Sequence, residues 1–190
     1  MSNLTDFFPS GGGGGLTPKF EEFNASGTFT PSQALIDAGG YIEVFLVAGG
    51  GRSNAGGGGG LGGEAITKKM YLNSVTSIAV TIGAGGPSNG SNGGNSTFAG
   101  SSAGGNDFTC LGGIGNLWYA PQNNRLSPGW SSKEYSNTTT GAGNGVFGYG
   151  AGGAGSSASS GVGTAKANSG QGSGNNQAAG SGYCLIKWYE

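Results

Sequence analysis

The chain has 190 residues and 18.4 kDa, with 46 glycines, no histidine, 9% charged residues and a net charge of −1; ordinary soluble domains carry about 7% glycine and about 25% charged residues. So small a charge leaves no basic field for nucleic acid or an acidic membrane surface. No apolar run approaches the roughly 18 residues that insert into a bilayer, the longest being 44–48. The length fits one domain with a tail, and the first nine residues lack the basic start and apolar stretch of a signal peptide.

Residues 1–18 read as an arm, with Phe7, Phe8 and Pro9 a compact sticky group on a tether of glycines 11–15. A docking peptide and a loose terminus are both open readings. Residues 19–190 read as one glycine-rich β domain. Order begins near Phe20, where Phe23, Ala25, Gly27 and Phe29 alternate with polar residues as in a single half-buried strand that Pro31 ends. Residues 41–47 are aromatic and β-branched and predict a buried strand. Residues 64–72 predict a third, with Lys68 and Lys69 marking a sheet edge. Residues 77–82 alternate as a fourth, and residues 182–189 close the chain as a fifth. No segment carries a 3.6-residue period, and glycine at this density disfavours helix by about 1 kcal/mol per residue relative to alanine.

The glycine tracts at 49–63, 83–105 and 141–182 pose the main physical question. Each ordered glycine loses roughly 0.5–1 kcal/mol of extra backbone entropy. Such a chain either leaves the tracts loose above a small sheet or gains what only a missing Cβ allows, close backbone approach between extended threefold chains. The tracts lack the strict repeat of collagen. Leu61, Phe98, Ile114, Val146, Phe147, Tyr149 and Val162 recur among the glycines, and a linker would not need them. They predict ordered, polyglycine-II-like layers whose edges these side chains seal. The expected fold class is all-β: a small sheet or sandwich with such layers and long loops. Disordered chains share the glycine content but are rarely 10% aromatic.

From Phe20 the sequence runs F-E-E-F-N-A-S-G-T-F-T-P, then Y-I-E-V-F-L-V-A-G-G-G, G-G-G-G-G-L-G-G-E-A-I-T, S-I-A-V-T-I-G-A-G-G and N-G-G-N-S-T-F-A-G. The order of these motifs, with the terminal aliphatic strand, resembles the glycine-rich domain of bacteriophage tail fibres and adhesins over roughly 20–105 and 141–190. Arg52, Ser53 and Asn54 interrupt the first glycine run, Asp37, Ala38, Gly39 and Gly40 form an insertion, and residues 106–140 match no part of the pattern. The resemblance implies a virion component of the tail or tail fibre, assembled in the host cytoplasm and in contact with other virion tail proteins. It further implies recognition of a bacterial surface glycan or outer-membrane protein, and a homo-oligomer, with a trimer favoured.

Catalytic chemistry finds little to work with. No histidine serves as a general base, and no serine or cysteine has a usual partner. Glu21 and Glu22 are neighbours on a strand and point to opposite faces; Asp107 and Glu134 are the remaining candidate pair. Residues 143–148 satisfy G-x-G-x-x-G, which a tract this rich in glycine produces by chance, and there is no phosphate-binding Gly-Lys-Ser or Gly-Lys-Thr. Neither a metal site nor a cofactor is expected, and no enzymatic activity. Cys110 and Cys184 are too few for a disulfide framework; whether they pair is open, with free thiols expected because nothing marks secretion.

The informative region is 106–140, which holds Phe108, Leu117, Trp118, Tyr119, Trp130 and Tyr135 among Gln122, Asn123, Asn124, Arg125, Lys133 and Glu134. Flat aromatic faces beside amides and a guanidinium suit sugar rings, and the same residues suit a protein interface or a small core beneath a long loop. The candidate receptor-binding residues are Trp118, Tyr119, Asn123, Asn124, Arg125, Trp130 and Tyr135. The candidate virion-docking residues are Phe7, Phe8 and Pro9. A connector or decoration protein without adhesive function is the competing reading. Ice binding is a third, against which the irregular spacing argues.

Overall fold

The computed structural model describes residues 15–53, 60–115, 165–173 and 177–190. Among these, the chain forms β1 (Pro18–Phe23), β2 (Gly27–Phe29), a short helix α1 (Gln33–Asp37), β3 (Tyr41–Val47), β4 (Ala65–Tyr71), β5 (Ile78–Thr81), β6 (Ser96–Ala99), β7 (Asp107–Cys110) and β8 (Tyr183–Tyr189). A 3-10 turn at Gly100–Ala103 links β6 to β7. The strands build two antiparallel four-stranded sheets, in the orders β1-β8-β3-β4 and β2-β5-β6-β7. This is the all-β architecture expected of the sequence.

The two sheets enclose one core. Ile42, Val44, Leu46, Cys184 and Ile186 of the first sheet face Phe29, Ile78, Val80, Phe98 and Cys110 of the second, all at most 1% exposed. Alternation along β3 as far as Leu46, and along β5, places these side chains on one face. The Phe29 ring meets Trp188 edge-on across the core at 5.3 Å. β4 is an edge strand, as Lys68 and Lys69 suggested, and Lys69 Nζ lies 3.6 Å from Glu43.

Three expectations are corrected. The alternating run 20–29 is two strands in different sheets, not one. Phe23 and Phe29 face the same core from opposite sides, so the chain turns over at 24–26, where Ser26 Oγ accepts from the Ile82 amide at 2.9 Å. Residues 33–37 are helical, although no period announces it. Five residues are too few to show one; the local signal is Ser32, whose Oγ caps the Leu35 amide at 3.0 Å while Leu35 is fully buried. Gly39 and Gly40, with φ of +102° and +70°, then reverse the chain into β3. The third correction is Phe98, read as an edge plug of the glycine layer. It sits in the core and stacks at a tilt on Phe108, 5.8 Å away. Residues 107–110, which open the segment 106–140, belong to the second sheet as β7.

Cys110 and Cys184 are both free and buried. Cys110 Sγ donates to the Leu46 carbonyl at 3.2 Å, and burial pushes both thiols up to about 12.

Candidate functional site: the glycine array and its distal end

Core side chains hold stacked sheets about 10 Å apart, whereas hydrogen-bonded backbones need about 4.8 Å. At one end of the sandwich the strands run on into glycine, the side-chain spacers vanish, and the two sheets close onto each other. Residues 48–52, continuing β3, form a central chain. Its amides donate in turn to different neighbours: Ala48 to Glu64 (2.9 Å), Gly49 to Gly94 (3.0 Å), Gly50 to Gly180 (2.9 Å), Gly51 to Leu61 (2.8 Å) and Arg52 to Ser91 (2.9 Å). Residues three apart, 48 and 51 or 49 and 52, reach the same neighbour three residues further back. That is the signature of an extended threefold chain. Its carbonyls accept from three other segments, through Gly113 onto Gly49 (2.8 Å), Gly86 onto Gly50 (2.8 Å) and Ser173 onto Gly51 (3.0 Å).

The surrounding segments also bond to one another and close a ring. Leu61 donates to Ile114, Gly93 to Gly113, Gly94 to Ala84, Gly182 to Gly83, Gly180 to Gln171 and Gly60 to Ser173, all at 2.8–3.0 Å. The array holds extensions of β3, β4 and β8 from the first sheet and of β5, β6 and β7 from the second, with 170–173 inserted between them. Polyglycine-II-like packing, expected of the sequence, is thus present in the described tracts.

Glycine is needed here for space. A Cβ at Gly49 would stand 2.0 Å from the Ala84 carbonyl oxygen, at Gly60 2.0 Å from that of Gly51, and at Gly112 1.9 Å from that of Gly93. Apart from Gly170, none of the glycines that bond within the array below the distal turn at 87–91 has a positive φ, so backbone freedom is not the requirement. Four outer segments share one pattern: Leu61-Gly62-Gly63-Glu64, Ala84-Gly85-Gly86-Pro87, Asn92-Gly93-Gly94-Asn95 and Leu111-Gly112-Gly113-Ile114. Two glycines face the neighbours, and every third residue faces out. Leu61 and Ile114 lie half-buried on this outer surface, as edge-sealing side chains should. Outward Asn92 and Asn95 accept from the Gly115 and Gly112 amides at 3.0 and 2.9 Å, and Glu64 accepts from the Leu111 amide at 2.9 Å. The central chain, enclosed on all sides, reads Gly49-Gly50-Gly51 without a gap. This x-Gly-Gly-x spacing was the signal that a search for strict collagen-like repeats passes over.

The array ends, away from the sheets, where Arg52, Gly60, Gly115, Ser173 and the turn 87–91 come together. Arg52 Nη1 donates to the Pro87 carbonyl at 3.0 Å, and Gly90 donates to the Arg52 carbonyl at 3.0 Å. Ser91 Oγ accepts from the Ser88 amide at 3.0 Å and donates to the Ser88 carbonyl at 2.6 Å. Ser173 Oγ donates to the Gln177 carbonyl at 2.6 Å. Arg52 is the one charged side chain among the described residues at this end.

The candidate receptor residues Trp118, Tyr119, Asn123, Asn124, Arg125, Trp130 and Tyr135 lie outside the described residues, as do Phe7, Phe8 and Pro9, and Glu134. The chain on either side of 116–164 is fixed: Gly115 by Asn92, and Lys166 by a 2.8 Å bond from its amide to Gln171 Oε1. The candidate acids have structural partners. Asp107 accepts from the Ser101 amide at 2.9 Å, which holds its carboxyl below the ordinary range. Glu22 accepts from the Tyr183 hydroxyl at 2.7 Å, while Glu21, on the other face, is raised by burial. Among the described residues no three of His, Cys, Asp and Glu gather as a metal site.

No curated protein and no solved structure matches the chain. A sandwich whose strands end in a glycine array, with the motif order of its sequence, is matched by one family model over residues 23–189, and the chain therefore belongs to the glycine-rich domain family.

Proposed function

We propose that the protein is a bacteriophage virion component of the tail or tail fibre, and that it acts as a non-enzymatic adhesin for a bacterial surface glycan or outer-membrane protein. What supports this reading is the anchoring of 116–164, the segment with Trp118, Tyr119, Arg125, Trp130 and Tyr135. Its two ends are tethered through Gly115 and Lys166 beside a backbone-bonded array, and binding residues concentrate on loops carried by a rigid scaffold. The arm carrying Phe7, Phe8 and Pro9 attaches the protein to its neighbour in the particle.

Purified protein should bind cells of the host and compete with infection, and a variant with Trp118, Tyr119 and Trp130 changed to alanine should do neither while melting at the wild-type temperature. Absence of competition by the wild-type protein refutes the adhesin reading. A connector or decoration role without adhesive function is the second reading. It expects deletion of residues 1–15 to abolish incorporation into particles, with no cell binding by the free protein.

A further inference from the structure

Three of the large exposed hydrophobic side chains among the described residues share one surface: Phe20 (70% exposed), Tyr71 (68%) and Tyr189 (54%). Core-facing Phe23, Met70 and Trp188 fix the parity of β1, β4 and β8, so these three point away from the core on the outward face of the first sheet. Register sorts that face into rows. Phe20, Lys187, Glu43 and Lys69 lie side by side across β1, β8, β3 and β4. The next row holds Glu22, Leu185, Phe45 and Thr67. On the other side Pro18 faces Tyr189 and Tyr41 faces Tyr71, the two tyrosines packed edge-on at 5.3 Å.

We propose that this face is the contact between two copies of the chain, related by a two-fold axis that runs parallel to the strands between β8 and β3. That axis exchanges β8 with β3 and β1 with β4. Lys187 then meets Glu43 of the second copy, and the reverse contact repeats it, as an isologous interface requires. Phe20 offers its ring to the Lys69 ammonium of the second copy. Glu22, Glu43, Lys69 and Lys187 cancel in charge, so the face does not repel itself. A two-fold axis running across the strands through the charged row would set Lys187 on Lys187 and Glu43 on Glu43; charge selects the first arrangement. Val47 and Tyr183 at the far end of this face are already buried, so the open part runs over four strands and about five residues, a footprint of about 19 by 17 Å, and aligned sheets meet at about 30°.

This two-fold pair differs from the trimer that the family resemblance implies, and it stands whether or not 116–140 binds a host surface. Light scattering and sedimentation of the full chain across micromolar concentrations should give a species of twice the chain mass. Glu43→Lys should weaken it about a hundredfold or more through like charges at both contacts, and Glu43→Lys with Lys187→Glu should restore it. Near-UV circular dichroism verifies that each variant is folded; Phe20→Ser, at an exposed site, is a second variant that should weaken the pair. A monomer throughout the range, a trimer, an oligomer indifferent to Glu43→Lys, or a double variant that fails to restore pairing overturns the proposal.

Discussion

Gly50 lies in the enclosed central chain, and Gly50→Ala tests whether the array is held by backbone contact. The new Cβ would lie 2.0 Å from the Gln171 carbonyl oxygen, 2.3 Å from its carbon and 2.7 Å from the Gly172 nitrogen. Neither partner is a flexible side-chain end, so the 171–172 backbone must retreat by about 1.4 Å or more to reach an ordinary contact. That movement disrupts the bonds of Gly180 to Gln171 (2.8 Å), Gly50 to Gly180 (2.9 Å) and Ser173 to Gly51 (3.0 Å). At about 1–1.5 kcal/mol each the loss is about 3–4.5 kcal/mol. Alanine's smaller unfolded-state entropy offsets up to about 1 kcal/mol, and residual overpacking adds about 1 kcal/mol or more. The expected net loss is about 3–4.5 kcal/mol, a fall in Tm of about 6–18 °C for a chain of this size. Gly15 has open space around its missing Cβ, so Gly15→Ala should stay within about 0.5 kcal/mol of wild type. Urea unfolding of both variants, with amide exchange at residues 49–52, is the assay. A Gly50→Ala midpoint equal to that of Gly15→Ala, or unprotected amides at 49–52 in the wild type, would refute backbone packing as the source of rigidity.

Ser96 bridges the two sheets where the array begins, donating to the Val47 carbonyl at 2.7 Å and accepting from the Gly83 amide at 2.9 Å while fully buried. Ser96→Ala leaves both groups unpaired and should cost about 2–4 kcal/mol in urea unfolding; a cost below about 1 kcal/mol contradicts the bridge. Cys110 and Cys184, buried with thiols up to about 12, should resist a neutral thiol reagent at pH 8 until the protein unfolds, and rapid native labelling would count against this core. Glu190 accepts from Ser32 and Trp188 and pairs with Lys19 at 3.7 Å, and its carboxyl is held below the ordinary 4.5. A carboxylate depressed on folding adds stability that is present above 4.5 and lost as pH falls through its folded value. Glu190→Gln should therefore flatten the acid limb of a pH–stability curve, and an unchanged limb would show that the carboxylate contributes nothing. Glu21, raised by burial, has the opposite sign, so Glu21→Gln should stabilise the protein at neutral pH.

Residue type and pattern located β3, β4, β5 and β8: β3 as an aromatic and β-branched run, β5 by its alternation, β4 with lysines marking its edge, and β8 as the closing aliphatic and aromatic run. Pattern also joined β1 to β2, since alternation states which side chains are inward but not which sheet they come from. β6 and β7 hid among glycines: Ser96–Ala99 and Asp107–Cys110 are four residues each, with Phe98 and Cys110 the only wholly buried large side chains in them. The aromatic segment 106–140 was legible as chemistry, from Trp118, Tyr119 and Trp130 beside amides and Arg125. Composition cannot say where a segment stands, and the sheet pairing of 107–110 together with the anchors at Gly115 and Lys166 came only from the fold.

By itself, the sequence determined that glycine stands where a side chain could not and that strand-forming runs precede those glycines. It also fixed the one-turn spacing of x-Gly-Gly-x, because a threefold chain turns once in three residues wherever it lies. Only the tertiary structure decided that 48–52 is the enclosed chain and which segments surround it. Backbone hydrogen bonds between glycines carry no side-chain identity, so any tract could pair with any other. The partners were chosen by the two sheets, whose packed side chains deliver each strand end to its place in the array.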